Sequence, residues 1–94
     1  MNYYKSSITG NIFTETQISI VNDIYGEDEV KSSLESGVFK KIENPSVVDF
    51  LNCRNFAGAV TRYRDIHNAN LKEAINSVRS MRSFMEKLRN ENDD

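Results

Sequence analysis

The sequence predicts an α+β domain, mostly helical, with a short N-terminal β-hairpin or three-stranded sheet and a C-terminal helical hairpin. Three observations predict it. Leu71, Ala74, Val78, Met81, Met85 and Leu88 recur at alternating spacings of three and four. That is the mark of an amphipathic helix of roughly 20 residues, about 30 Å long. Asn68-Ala69-Asn70 separates it from a second periodic stretch, Phe56 to His67, and so short a link makes the two an antiparallel pair. At the other end, Tyr3-Tyr4-Lys5-Ser6 and Ile12-Phe13 flank Thr9-Gly10-Asn11, a hairpin pattern in which Gly10 supplies the turn's positive φ.

The elements follow in order. Thr14 reads as an N-cap, and Gln17 three residues on completes a capping box. The helix behind it is expected to bury Ile18, Val21 and Ile24 or Tyr25, and to stop at Gly26. Residues 27–36 read as a second short helix, opened by Glu27, Asp28 and Glu29, which suit the positive end of the helix dipole. Val30 and Leu34 form its expected inner side and Gly37 its end. Val38 to Ile42 alternates weakly, as a third strand would. A third helix starts around Pro45, whose missing N–H suits a first helical position. In the fourth, Phe56, Val60, Tyr63 and His67 share one face, while Gly58 and Ala59 permit close helix contact. Asn70 then caps the long last helix, which runs to about Asn90.

Ninety-four residues without repeat or linker make one domain over 1–94. Its charge is segregated. Residues 1–52, the acidic β/α portion, hold four basic against eight acidic residues. Residues 53–90, the basic hairpin, hold eight basic against three acidic, and the 91–94 tail carries three acids. The two halves attract one another in the fold, or the basic one steers an acidic partner. A single cysteine, Cys53, excludes an intrachain disulfide and fits a reducing, cytoplasmic setting. No apolar run has membrane length, residues 1–20 lack a signal pattern, and proline blocks the one glycosylation triplet, Asn44-Pro45-Ser46.

Chemistry-bearing motifs are few. Cys53 and His67 form the sole thiol–imidazole pair, without the surrounding signature nucleophilic catalysis needs. Zinc sites want four ligands, and Glu27-Asp28-Glu29 lacks the loop pattern of a calcium site. The four glycines are too scattered for a phosphate loop. The expectation is a non-enzymatic chain with no metal and no cofactor.

Arg54, Arg62, Arg64, Arg79 and Arg82, with Tyr63 and Lys72, form the best candidate binding surface, because arginine grips carboxylate and phosphate through a planar fork. Adding the adaptable helix end, the expected partner-binding residues are Arg62, Tyr63, Arg64, Lys72, Arg79, Arg82, Phe84 and Met85. A solvated helix face explains the same pattern without function. The expected partner is a bacterial protein with an acidic surface, with a homodimer through the last helix as a further use of its apolar end. A nucleic-acid-binding regulator is the alternative, although a pI near 5.4 lies far below that of most nucleic-acid domains.

Two resemblances add to this. Ala59-Val60-x-x-Tyr63-Arg64-x-x-His67-Asn68-x-Asn70-Leu71-Lys72-Glu73-Ala74 resembles the helix–turn–helix of the bacterial ribosomal stalk protein's C-terminal domain, which docks translation factors. It covers about a quarter of the chain, with Asn68 and Asn70 where that family has glycines and Ile75 where it has a lysine. Tyr3-Tyr4-Lys5-Ser6, Thr9-Gly10, Pro45-Ser46-Val47-Val48-Asp49 and the Tyr63 to Ala74 hairpin resemble small proteins of phages and prophages in Gram-positive bacteria. Those include stoichiometric inhibitors of host defence such as anti-CRISPR proteins. The resemblance implies a mobile-element-encoded inhibitor of a bacterial protein machine.

Overall fold

Alternating apolar residues at both ends of the N-terminal hairpin close a small antiparallel sheet. A computed structural model describes residues 1–26, 31–32 and 34–92. Strand β1 (Tyr3–Ser6) pairs with β2 (Ile12–Thr14) in the register Tyr3↔Thr14, Tyr4↔Phe13 and Lys5↔Ile12. Gly10 turns the hairpin at φ +77°. The third strand, β3 (Phe39–Ile42), adds on the other side of β1, with Tyr3 opposite Ile42 and Ser6 opposite Phe39. The first strand is therefore central, and its Tyr3, with Ile12 and Thr14 of β2, is buried.

Thr14 caps α1 (Glu15–Tyr25). The Gln17 N–H donates to Thr14 Oγ1 at 3.2 Å, and the Thr14 N–H donates to Gln17 Oε1 at 3.0 Å. That is the capping box read from the sequence. Gly26 follows the helix at φ +92°. Of the expected inner face, Ile18 is buried and Ile24 is 67% exposed, while the side chains of Val21 and Tyr25 lie outside what is described. Among the described residues α1 packs chiefly on β2, through its first turns. Of the helix expected over 27–36, residues 31–32 and 34–35 are helical, and 27–30 and 33 lie outside the described residues. Of its named inner side chains, Leu34 is exposed rather than buried.

After β3 come α2 (Val47–Asn52), α3 (Phe56–His67) and α4 (Leu71–Asn92). Pro45 does not occupy the first helical position. Ser46 is the N-cap instead, accepting from the Asp49 N–H at 3.0 Å while Asp49 Oδ2 accepts from the Ser46 N–H at 2.9 Å. A reciprocal cap satisfies two backbone donors at once, which a proline start cannot do. Helix α2 ends in a left-handed turn at Arg54, φ +60°. There the Arg54 N–H donates to Leu51 O at 3.1 Å and the Asn55 N–H to Phe50 O at 2.9 Å, the two bonds of a Schellman motif.

The core gathers Tyr3 and Ile12 from the sheet, Val47, Phe50 and Leu51 from α2, Ala59 and Val60 from α3, and Ala74 and Val78 from α4. Phe50 is fully buried and meets the Tyr3 ring edge-on at 5.8 Å. Gly58 lets that ring lie on the α3 backbone: a Cβ there would come within 2.5 Å of Phe50 Cδ1. The apolar stripe of α4 is buried only in the middle. Ala74 and Val78 are fully enclosed, Met81 and Met85 half-buried, and Leu71 and Leu88 exposed by 52% and 43%. A 22-residue helix is about 33 Å long, longer than the surface that α3 offers. The radius of gyration, 14.7 Å, exceeds the roughly 12 Å of a compact chain this size, as an overhanging helix requires.

Candidate partner-binding face

The eight residues singled out from the sequence do not form one surface. Arg62 is held within its own fold. Its Nε–H donates to Pro45 O at 2.6 Å, its guanidinium pairs with Asp65 Oδ2 at 3.1 Å, and it lies 5.0 Å from the centre of the Tyr3 ring. Only 13% of that side chain is exposed. Tyr63 packs half-buried against the core, with its ring 4.4 Å from that of His67. Arg64 donates to Ala69 O at 3.4 Å, across the turn between α3 and α4.

The other five lie on α4 and divide by angle. At about 100° per residue, Lys72 and Arg79 share one flank, while Phe84 lies about 140° around from Arg79. Between them, Arg82 and Met85 follow the inner face set by Val78. Phe84 is 62% exposed. Arg82 is fixed by the Phe56 ring, its guanidinium 4.6 Å from the ring centre.

That inner face is where the structure builds a cleft. A space of about 340 Å³ opens between the α2–α3 turn and the distal half of α4, lined by Leu51, Asn52, Arg54, Phe56, Arg82, Met85, Glu86 and Arg89. Three arginines and one glutamate line it, with Leu51, Phe56 and Met85 as its apolar floor. Among the described residues, Arg62–Asp65 is the sole ion pair, so Arg54, Arg79, Arg82, Arg89 and Lys72 hold no carboxylate. Arginine without an internal anion is a ready donor to an external one.

Arg89 is not among the eight, although its distance of seven residues from Arg82 puts it on the same side of the helix. Arg54 belongs to the basic set read from the sequence, but its place at the cleft is set by the backbone. Its position follows from a left-handed turn usually made by glycine, and the sequence there is Cys53-Arg54-Asn55.

The other candidate chemistry is kept apart. Cys53 Sγ donates to Phe50 O at 3.3 Å, while the His67 ring faces Tyr63. Among the described residues no three histidine, cysteine or acidic side chains gather as a metal site would require. None of their helices is long and apolar enough to cross a membrane.

Fold and site together define an α+β domain with a projecting basic helix and an arginine-lined cleft at its base. No protein-family model, curated protein or solved structure matches the chain.

Proposed function

We propose that this protein is a non-enzymatic binding module that docks its projecting last helix on an acidic surface of a partner protein. One observation carries the reading: Lys72, Arg79, Arg82, Lys87 and Arg89 on α4 are exposed and make no ion pair with any described carboxylate. Opposite charges in the acidic half would neutralise them if the fold alone had required them. Phe84 and Leu88 add exposed apolar contact beside the cations, the composition of an interface anchor. The resemblance to phage and prophage proteins directs the search for the partner to bacterial protein machines, including those of host defence. Covering a surface is the means by which so small a chain would inhibit one.

The test is a charge reversal. Arg79→Glu with Arg82→Glu is expected to abolish a complex isolated from nuclease-treated bacterial lysate while the far-ultraviolet circular dichroism stays unchanged. An undiminished complex overturns the reading, as does a complex that disappears on nuclease treatment, which would make nucleic acid the partner. A homodimer through Phe84 and Leu88 is the competing use of the same helix. Light scattering on the purified chain at rising concentration separates the two, since a strict monomer leaves that surface to a partner.

A further inference from the structure

We infer that the cleft between the α2–α3 turn and the distal half of α4 is an anchor site for a short acidic peptide segment carrying one apolar side chain between its carboxylates. The inference rests on the protein-binding reading above and names the chemistry that the site grips.

Arg54 is the first argument. It occupies the left-handed turn after α2 at φ +60°, a conformation that strains a side-chain-bearing residue relative to glycine. The Arg54 N–H makes one bond of the motif and the Asn55 N–H makes the other, and neither needs the Arg54 side chain. Arg54 lines the cleft and makes no ion pair with a described carboxylate. Strain held at a position that faces a cleft points to a ligand.

Arg82 is the second. The Phe56 ring holds its guanidinium in place at 4.6 Å, which lowers the entropy lost when an anion binds. Arg89 stands seven residues further along the same side of α4, about 10 Å up the axis. Carboxylates two to four residues apart on an extended segment bracket that distance. Between the cations lie Leu51, Phe56 and Met85. A floor of this kind receives an apolar side chain, and methionine adapts to its shape.

The same features disfavour a long polyanion. A nucleic-acid backbone needs a continuous basic track. Here the chain carries a net charge of −2, and Glu86 stands on the cleft wall. A short discrete anion avoids the acidic half, and an apolar side chain uses the floor that a phosphate run would leave empty.

The experiment is a nuclear magnetic resonance titration of the whole chain that follows the arginine Nε–Hε and methionine methyl signals. The probe is the capped peptide Glu-Asp-Phe-Asp-Glu. A glycine-for-phenylalanine peptide, inorganic phosphate and a ten-nucleotide oligothymidylate serve as comparisons. The expected result is saturable shifts at Arg54, Arg82, Arg89 and Met85 with the probe, and binding of the glycine peptide weaker by about tenfold. Arg54→Gly should weaken the probe by about tenfold while raising the thermal midpoint, which separates lost binding from lost folding. No saturable shift at these residues overturns the inference. So does equal binding of the glycine peptide, or tighter binding of phosphate or oligothymidylate at the same residues. Arg79→Glu lies outside the cleft and tests the docking reading alone. If the peptide fails yet Arg79→Glu still breaks the partner complex, only the cleft assignment falls.

Discussion

The Arg82 guanidinium lies 4.6 Å from the centre of the Phe56 ring, joining the distal half of α4 to the first residue of α3 without a carboxylate. Such a contact contributes about 0.5–1 kcal/mol at a partly exposed site. Phe56→Leu keeps apolar bulk in the cleft floor and removes the π face. A double-mutant cycle with Arg82→Met, read by urea unfolding, should give a coupling energy in that range. A coupling near zero would mean that the ring merely fills space.

The Tyr3 hydroxyl donates to Asp65 Oδ2 at 2.9 Å, tying the central strand to α3. That bond, aided by the N-terminal amine and Arg62, holds the Asp65 carboxyl below its ordinary value of 3.8. Burial first, and the Asp65 carboxylate second, push the Tyr3 hydroxyl above its ordinary value of 10.0. The lowered acid contributes stability that is present above about pH 4 and lost as pH falls through its folded value. The raised phenol contributes stability present below about pH 10 and lost as pH rises through its folded value. Tyr3→Phe should therefore cost about 1 kcal/mol across the neutral range. Unfolding curves measured against pH should show the gap between the two proteins closing at both extremes.

Gly58 faces Phe50 with no room for a methyl group: an added Cβ would lie 2.5 Å from Phe50 Cδ1 and 2.7 Å from Asn55 Nδ2. Phe50 is fully buried, so any shift of its ring must displace the core around it. Gly58→Ala should destabilise the fold by about 1–3 kcal/mol despite alanine's better helix propensity. Chemical denaturation gives the value, and a gain in stability would show that the ring can retreat.

Asn55 joins three elements. Its Oδ1 accepts from the Gly58 N–H at 3.0 Å as the α3 cap, and its Nδ2 donates to Ile12 O and Gln17 Oε1, both at 2.8 Å. Asn55→Ala loses the cap and leaves a strand carbonyl unpaired. The expected cost is about 2–3 kcal/mol. Asn55→Asp keeps the cap's acceptor but removes both donations, so it should destabilise as well, and more so above the pH at which the carboxyl ionises. Thermal melts of the two variants at pH 4 and pH 8 separate the two contributions.

Local chemistry made much of this fold legible. The Thr14–Gln17 box, the Gly10 and Gly26 turns, the Asn70 cap and the two-helix hairpin are each written within a few neighbouring residues. Burial was less legible. Ile24 and Leu71 fit their helical stripes yet face solvent, because periodicity shows which residues share a face but not how far the opposing surface extends. Ser46 as the cap in place of Pro45 was readable, since Asp49 stands three residues on. The candidate site divided in the same way. Arg82 and Met85 lie where the helical spacing put them, but Arg62 is taken up by Pro45, Asp65 and Tyr3, contacts made with three separate parts of the chain.

The sequence by itself determined the helices, their caps, the hairpin turns and the segregation of charge, because each depends on residues close along the chain. Only the tertiary structure decided which arginines stay without a carboxylate and that Arg54, Arg82 and Arg89 meet over one apolar floor. Those facts depend on where α4 outruns the surface beneath it and on a backbone turn at Arg54 that favours glycine. Neither is encoded in the spacing of residues along any one helix.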